Sequence, residues 1–454
     1  MQIESIQLKH ILHFSDIQLN FEYHDLPITL ILGAQSSGKT TLLRFSFQAL
    51  TWFAARYKDL RTAGVVMLDQ DIMQTRLQSK MDIRVRFAEE IGQLSESSAT
   101  QQLDVHTCSW QLYKTLNQRG VGISKAETQQ LEALVALYQK ALQQDSMQGL
   151  PLIAYYPAER FVHDINLISK NNPAIFQSHY AYDISAIPFT MFSRFFEWFR
   201  EISDIENAQT AHLVQQLLKQ HHSNEEFFFS QKLADSYAQM TAPALKALNT
   251  ALNTVIPDLH HLYLDFQPKL QLMVHYQGKN MLYSQLSNSI RCLIALVGDI
   301  VRRLCLLNPN SLYPCQEGDG ILLIDAIDHH LDADWSSIIL LRLHAAFPRL
   351  QIIASGQREE LLENAEAMQC LRLEQKQLHT IQGQYHFDEV YEQLALSPDE
   401  DNAEKISSNQ PVEPDIYAWQ QQIQQQLSDA QQQQLIHLLQ DSNPEQQNIH
   451  LPEP

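Results

Sequence analysis

Apolar positions along the chain switch between a period of two and a period near 3.6. Ile3 to Leu8 and Ile17 to Phe21 alternate apolar with polar residues, which predicts half-buried strands. Ile28-Thr29-Leu30-Ile31-Leu32 is a continuous β-prone run and predicts a strand buried on both faces. Helical spacing begins at Lys39 and runs through TTLLRFSFQAL. Residues 75–150 are rich in Gln, Glu and Leu and read as mostly helical, most clearly in ETQQLEALVALYQKALQQ. LPLIAYYP, from Leu150, returns to strand character, and residues 180–256 read as helical again. Leu262 to Phe266 and Leu270 to Tyr276 predict a pair of strands. Gln285 to Leu307 predicts an amphipathic helix with its entry loop, and Gly320 to Ile324 a buried strand. A helix over 335–347 and a strand over 350–354 follow.

Strands near both ends, separated by long helical stretches, predict an α/β fold in which one domain is assembled from two distant lobes. The expected boundaries are 1–75 for the N-terminal lobe, 76–149 for a helical insertion and 150–165 for a strand returned to the domain. A second helical insertion follows over 166–258, and the C-terminal lobe spans 259–396. Residues 397–454 differ, with ten acids against the single base Lys405 and blocks such as QQQIQQQ. Ser397 to Pro414 reads as a disordered linker, and Ile416 to Leu439 as an amphipathic helix that docks on its own domain or on a partner.

Composition narrows the class. No run of about 18 apolar residues is present. Leu293 to Leu307 comes nearest, but Asp299, Arg302 and Arg303 interrupt it at helical spacing. The opening MQIESIQLKHILHF lacks the cationic segment, apolar run and cleavage site of a signal peptide, so cytoplasmic residence without membrane contact is expected. Five cysteines, Cys108, Cys292, Cys305, Cys315 and Cys370, lack zinc-site spacing and read as reduced thiols. The net charge of −20 argues against direct binding of bare nucleic acid unless a local basic patch or a partner supplies it.

The chain has only 13 glycines, so a glycine-bearing loop between a strand and a helix carries information. Gly33-Ala34-Gln35-Ser36-Ser37-Gly38-Lys39-Thr40 matches G-x-x-x-x-G-K-[ST] between the Ile28 run and the following helix, with Thr41 next in line. Glycines let backbone N–H groups turn inward around a β-phosphate, and the helix N-terminus adds its positive end. Lys39 then reaches the β- and γ-phosphates, and the Thr40 hydroxyl is a ligand for Mg2+. The strand Gly320 to Ile324 delivers Asp325 as the partner carboxylate for that Mg2+. ATP and Mg2+ are the expected ligands.

Several segments together resemble the ABC-type, SMC-like ATPases. Leu286-Ser287-Asn288-Ser289-Ile290-Arg291 resembles that family's L-S-x-G-x-R signature loop, and IDAIDHHLDADW resembles its I-D-E-I-D-L-H-L-H-P-x-W. LPLIAYYPAERFV, placing Arg160, FFEWFREISDIEN and FPRLQIIASGQREELL are similar to segments of the branch that contains the ATPase subunit of Septu and retron-associated anti-phage systems. The resemblance implies an ABC/SMC-like ATPase head. It implies a homodimer or higher oligomer in which the cradle of one subunit meets Ser287 and Ser289 of another across ATP. It also implies a nuclease or toxin effector as partner. Gln70 and Gln74 are the candidates for the family's Q-loop glutamine.

Departures from the family pattern fall on the hydrolytic half. Ala326 stands where the family carries the glutamate that deprotonates the attacking water, help worth ~10²–10⁴ in rate. Ser289 replaces the signature glycine, Gln357 the γ-phosphate-sensing histidine, and Asp332 the second histidine of H-L-H-P. Singly, each is compatible with a tolerated variant or, for Ala326, with a substitution made to trap nucleotide. Together they point to a binding site without hydrolysis. Asp328 is the one nearby acid that could stand in. The alternatives are an active SMC-like ATPase in DNA repair or DNA-end processing, and a scaffold that no longer binds ATP. The paired histidines His221-His222, His260-His261 and His329-His330 read as surface or packing residues. The aromatic cluster Phe192, Phe195, Phe196, Trp198 and Phe199 reads as core or subunit contact.

Overall fold

The computed structural model describes residues 1–94, 105–117, 120–160, 162, 177–182, 192–220 and 243–381. The linker and helix expected beyond residue 397 lie outside these, as does His221-His222.

Three sheets carry the strands. β1 (Gln2–Ile11), β2 (Phe14–Asn20), β4 (Gln78–Arg86), β5 (Thr107–Leu116) and β6 (Gly122–Glu127) form an antiparallel sheet in the order β2-β1-β4-β5-β6. A second sheet, ordered β14-β13-β3-β12-β11-β7, combines β3 (Ile28–Leu32), β7 (Leu152–Tyr156), β11 (Gly320–Ile324), β12 (Leu350–Gly356), β13 (Gln369–Glu374) and β14 (Gln377–Thr380). Its inner strands are parallel, and β14 is an antiparallel edge. A small antiparallel sheet holds β8 (Leu259–Asp265), β9 (Gln271–Tyr276) and β10 (Lys279–Leu282).

The second sheet is the assembly of two lobes that the pattern predicted, since β3 from the start of the chain sits between β12 and β13 from its far half. β3, β11 and β12 are buried at every position, as continuous apolar runs require. Their few polar side chains are satisfied. Gln351 of β12 accepts from Ile3 N at 2.6 Å and donates to Ile3 O at 3.0 Å, which fastens the two larger sheets together. Thr29 donates to Gln369 across the β3–β13 pair at 2.9 Å.

The expected helical insertion at 76–149 is corrected by β4, β5 and β6; only α2 (Gln129–Gln144) is helical there. The alternation that makes these strands is present in the residues. Ser79, Met81, Ile83 and Val85 face inward on β4, and Cys108, Trp110 and Leu112 on β5. Glutamine-rich composition masked this period of two. The Trp110 indole N–H donates to Ala49 O at 3.1 Å on α1 (Lys39–Lys58), docking this sheet on the first helix.

In the second expected insertion, α3 (Ser193–Gln220) and α4 (Pro243–Val255) are helices as predicted. The cluster Phe192, Phe195, Phe196, Trp198 and Phe199 is core, with each residue at most 4% exposed. It packs on α5 (Asn288–Leu307), where a Cβ at Gly298 would lie 2.3 Å from the Phe195 ring. A single-turn helix over Pro314–Glu317 precedes β11, and α6 (Ala333–Ala346) follows it. No helix among the described residues is long and apolar enough to cross a membrane.

Candidate nucleotide site

The parallel register brings the carboxyl ends of β3, β12, β11 and β7 to one edge: Leu32 pairs with Gly356, Ile324 with Ala354, and Ile324 with Tyr156. Ligands of open parallel sheets bind beyond such an edge. Gly33 to Gly38 leaves this edge from β3 and turns into α1, so the cradle stands at a helix N-terminus. Ser36 (φ 63°) and Gly38 (φ 113°) adopt the left-handed backbone that the inward turn needs. Ala34, Gln35, Ser36 and Thr40 are exposed, and Gly33, Ser37 and Thr41 partly so. Lys39 is 7% exposed, and its ammonium donates to Gly33 O at 2.6 Å and Ala34 O at 2.9 Å. Burial lowers its pKa, and the charges of Asp325 and Asp328 work in the opposite direction.

Asp325 follows β11 and is 2% exposed. Its Oδ1 accepts from the Ser355 hydroxyl at 2.5 Å, and Ser355 Oγ in turn accepts from Ala326 N at 2.9 Å. Its Oδ2 is buried and has no hydrogen-bond partner among the described residues. A buried, orphaned carboxylate oxygen within electrostatic reach of a lysine is what a Mg2+ site asks of a protein. Thr40 and Asp325 would hold the ion, and the backbone N–H groups of 33–41 with Lys39 would hold the phosphates. Mg2+ held there would supply positive charge against the phosphates.

Two further polar atoms at the cradle are buried without partners, Ser37 Oγ and His13 Nε2. The His13 ring lies over Gly38, where a Cβ would meet Nε2 at 2.3 Å. No local pattern marks His13 in the sequence, because the turn that carries it precedes the cradle strand. Ser355 carried a weak signal as a hydroxyl at the end of an apolar strand.

The water-activating side is different. Ala326 sits at φ 45°, and its methyl offers no acid or base. Asp328 does not replace it: one carboxylate oxygen accepts both Gln357 N at 2.8 Å and Arg358 N at 2.9 Å, tying down the turn after β12. Gln357 is exposed. Asp332 serves as the N-cap of α6, accepting from Trp335 N at 2.8 Å, which gives the residue at the second-histidine position a helix-capping role.

Ser287 caps α5 by accepting from Ile290 N at 3.3 Å, and Ser289 donates to His330 O at 2.6 Å. Neither bonds the 33–41 loop among the described residues, so within one chain the signature residues and the cradle are not brought together. Gln70 and Gln74 are both exposed, beside Asp71, which is anchored by Arg44 at 3.2 Å. His329 and His330 are exposed, with rings stacked 3.9 Å apart.

A family model described as an AAA domain matches residues 5–260, more than half of the chain. The chain belongs to that family. Among curated relatives, this AAA-domain protein is similar to the Retron Vc95 probable ATPase of Vibrio cholerae serotype O1 biovar El Tor. The identity is 26% over 377 residues, covering 78% of this chain and 70% of the relative. It is 31% identical over 243 residues to the Retron Ec83 probable ATPase of Escherichia coli, covering 46% of this chain and 44% of that relative. The expected resemblance to the retron-associated ATPase branch is borne out by these matches. Solved structures similar to the AAA-domain protein include the SmcHead bound to the C-winged helix domain of ScpA. That comparison gives a TM-score of 0.44 at 12% identity and covers 86% of this chain and 100% of the other. The SMC head domain from Thermotoga maritima gives a TM-score of 0.38 at 12% identity, covering 84% and 98%.

Proposed function

We propose that this chain is an ATP-binding subunit that uses Mg2+-ATP as a structural or regulatory ligand and turns it over little or not at all. The observation that carries the reading is the contrast at the end of β11. Asp325 keeps a buried, unpartnered oxygen beside Lys39, whereas Ala326 offers no base and Asp328 is committed to two backbone N–H groups. The site is composite in this reading. The cradle of one copy takes the triphosphate, and Ser287 and Ser289 of a second copy, exposed or partly exposed at the start of α5, close over it. A ligand present at 100 times its Kd stabilises the state it binds by ~2.7 kcal/mol. That suffices to hold two heads together without turnover. The retron names of the relatives support a place in a retron system; an anti-phage role beside a nuclease or toxin effector is the further part of this proposal.

Light scattering on the full chain tests this. ATP with Mg2+ should shift the mass from monomer to dimer, ADP should not, and the dimer should persist for hours without ATP regeneration. A dimer that forms and decays within minutes as ATP is consumed would sink the reading, as would a mass indifferent to nucleotide.

A further inference from the structure

Arg160 is a buried cation that forms no ion pair among the described residues. It is 7% exposed, and among the described residues its guanidinium bonds go to main-chain carbonyls. Nη1 donates to Pro157 O at 2.9 Å and to Asp325 O, and Nη2 donates to Ala326 O at 2.7 Å. Burying a charge costs several kcal/mol unless its surroundings compensate. Burial pulls the Arg160 pKa down to about 10, while the neighbouring Cys292, Asp325 and Asp328 act to raise it. The carbonyls it grips are informative. They belong to Asp325 and to Ala326, whose left-handed backbone (φ 45°) is strained for any residue but glycine by ~1–2 kcal/mol and must be held by its neighbours.

Arg160 is also gripped from the other side. Its own carbonyl accepts from the Cys292 thiol at 3.2 Å, in the first turns of α5. Three residues earlier on that helix, Ser289 donates to His330 O at 2.6 Å, in the segment that continues from Asp325. The helix that begins with the signature loop is therefore fastened to the magnesium strand's exit at two points, and one of them passes through Arg160.

We infer that Arg160 is a positioning residue for the Mg2+ site: its forked guanidinium fixes the backbone of Asp325 and Ala326, so that Asp325 Oδ2 stands ready for the ion, and links that backbone to the signature helix. The inference rests on the ATP-binding reading above and adds to it the residue that sets the metal dependence. Three carbonyls are held here from two nitrogens of one rigid plane, a spread that the single point-like ammonium of lysine on its flexible stem does not reproduce.

The test is a fluorescent-ATP titration on the full chain, with Mg2+ and with EDTA. For Arg160→Gln, affinity in EDTA should stay within about 2-fold of wild type, while the gain on adding Mg2+ falls by ~10-fold or more, as for other groups that orient a metal ligand. Arg160→Lys should behave like Arg160→Gln. Cys292→Ala, which removes only the thiol bound to the Arg160 carbonyl, should lose part of the Mg2+ gain and serves where Arg160→Gln fails to fold by circular dichroism. An unchanged Mg2+ gain in the folded variants, equal losses with and without Mg2+, or full rescue by lysine overturns this inference alone. A wild-type chain that binds no ATP overturns the proposed function and takes this inference with it.

Discussion

Asp299→Asn should cost the fold ~3–5 kcal/mol, read as a large drop in the midpoint of chemical denaturation. Asp299 is fully buried in α5. Its Oδ1 accepts from Arg302 Nε at 2.8 Å, and its Oδ2 from Arg303 Nε at 2.7 Å and the Tyr156 hydroxyl at 2.8 Å. Burial alone would raise this carboxyl, but the two guanidinium groups outweigh it and hold the pKa at about 2. Asparagine keeps the shape but removes the carboxylate that Arg302 and Arg303 share, and Arg302 is 2% exposed. The sign of the pH dependence follows. The folded-state value lies below the unfolded one, near 4, so the stabilisation is complete above about pH 4 and fades as pH falls toward about 2. The consequence reaches the site, because Tyr156 ends β7 and its carbonyl accepts from Asp325 N at 2.8 Å. A midpoint within about 0.5 kcal/mol of wild type would remove this account of how α5 is pinned.

Lys39→Ala should weaken ATP binding ~10- to 150-fold, the equivalent of a charge-assisted hydrogen bond of ~1.5–3 kcal/mol. The ammonium is held over its own loop by Gly33 and Ala34 carbonyls, and it is a buried cation within electrostatic reach of Asp325 and Asp328. Substitution removes that cation and leaves Asp325 Oδ2, already unpartnered, with less to balance it. The fold should tolerate the change, because the cradle's turn is set by Ser36 and Gly38 rather than by the lysine. Titration with a fluorescent ATP analogue gives the answer, and an affinity within about 2-fold of wild type would mean that the 33–41 loop is not where the triphosphate sits.

What the residues reveal in advance follows from how local the physics is. The cradle was legible because its chemistry is contiguous: a buried β-run, a turn needing left-handed backbone, and a helix start lie within about a dozen residues of sequence. The same holds for Asp325 at the end of an apolar strand. The β4–β6 strands were missed because a glutamine-rich composition imitates helix while only the period of two, in Ser79, Met81, Ile83 and Val85, says otherwise. Asp299, Arg302 and Arg303 look like mere breaks in an apolar run until the fold closes them on Tyr156. Arg160 lies 165 residues from the carbonyl it holds, and Ser355 lies 30 from the carboxylate it orients. Pairings of that range are decided by sheet order, which no single segment encodes. Asp328 is the instructive acid. Proximity in sequence made it a candidate base, and two backbone N–H groups account for it instead.

The central claim is that the chain holds ATP without consuming it. Steady-state phosphate release from the purified full-length protein, with ATP and Mg2+ and with Lys39→Ala as the blank, tests it most directly. The account predicts release indistinguishable from that blank, while nucleotide extracted from the wild-type protein is intact ATP. Turnover at about 1 s⁻¹ or faster, abolished by Lys39→Ala, would contradict it and return the protein to the working ATPases.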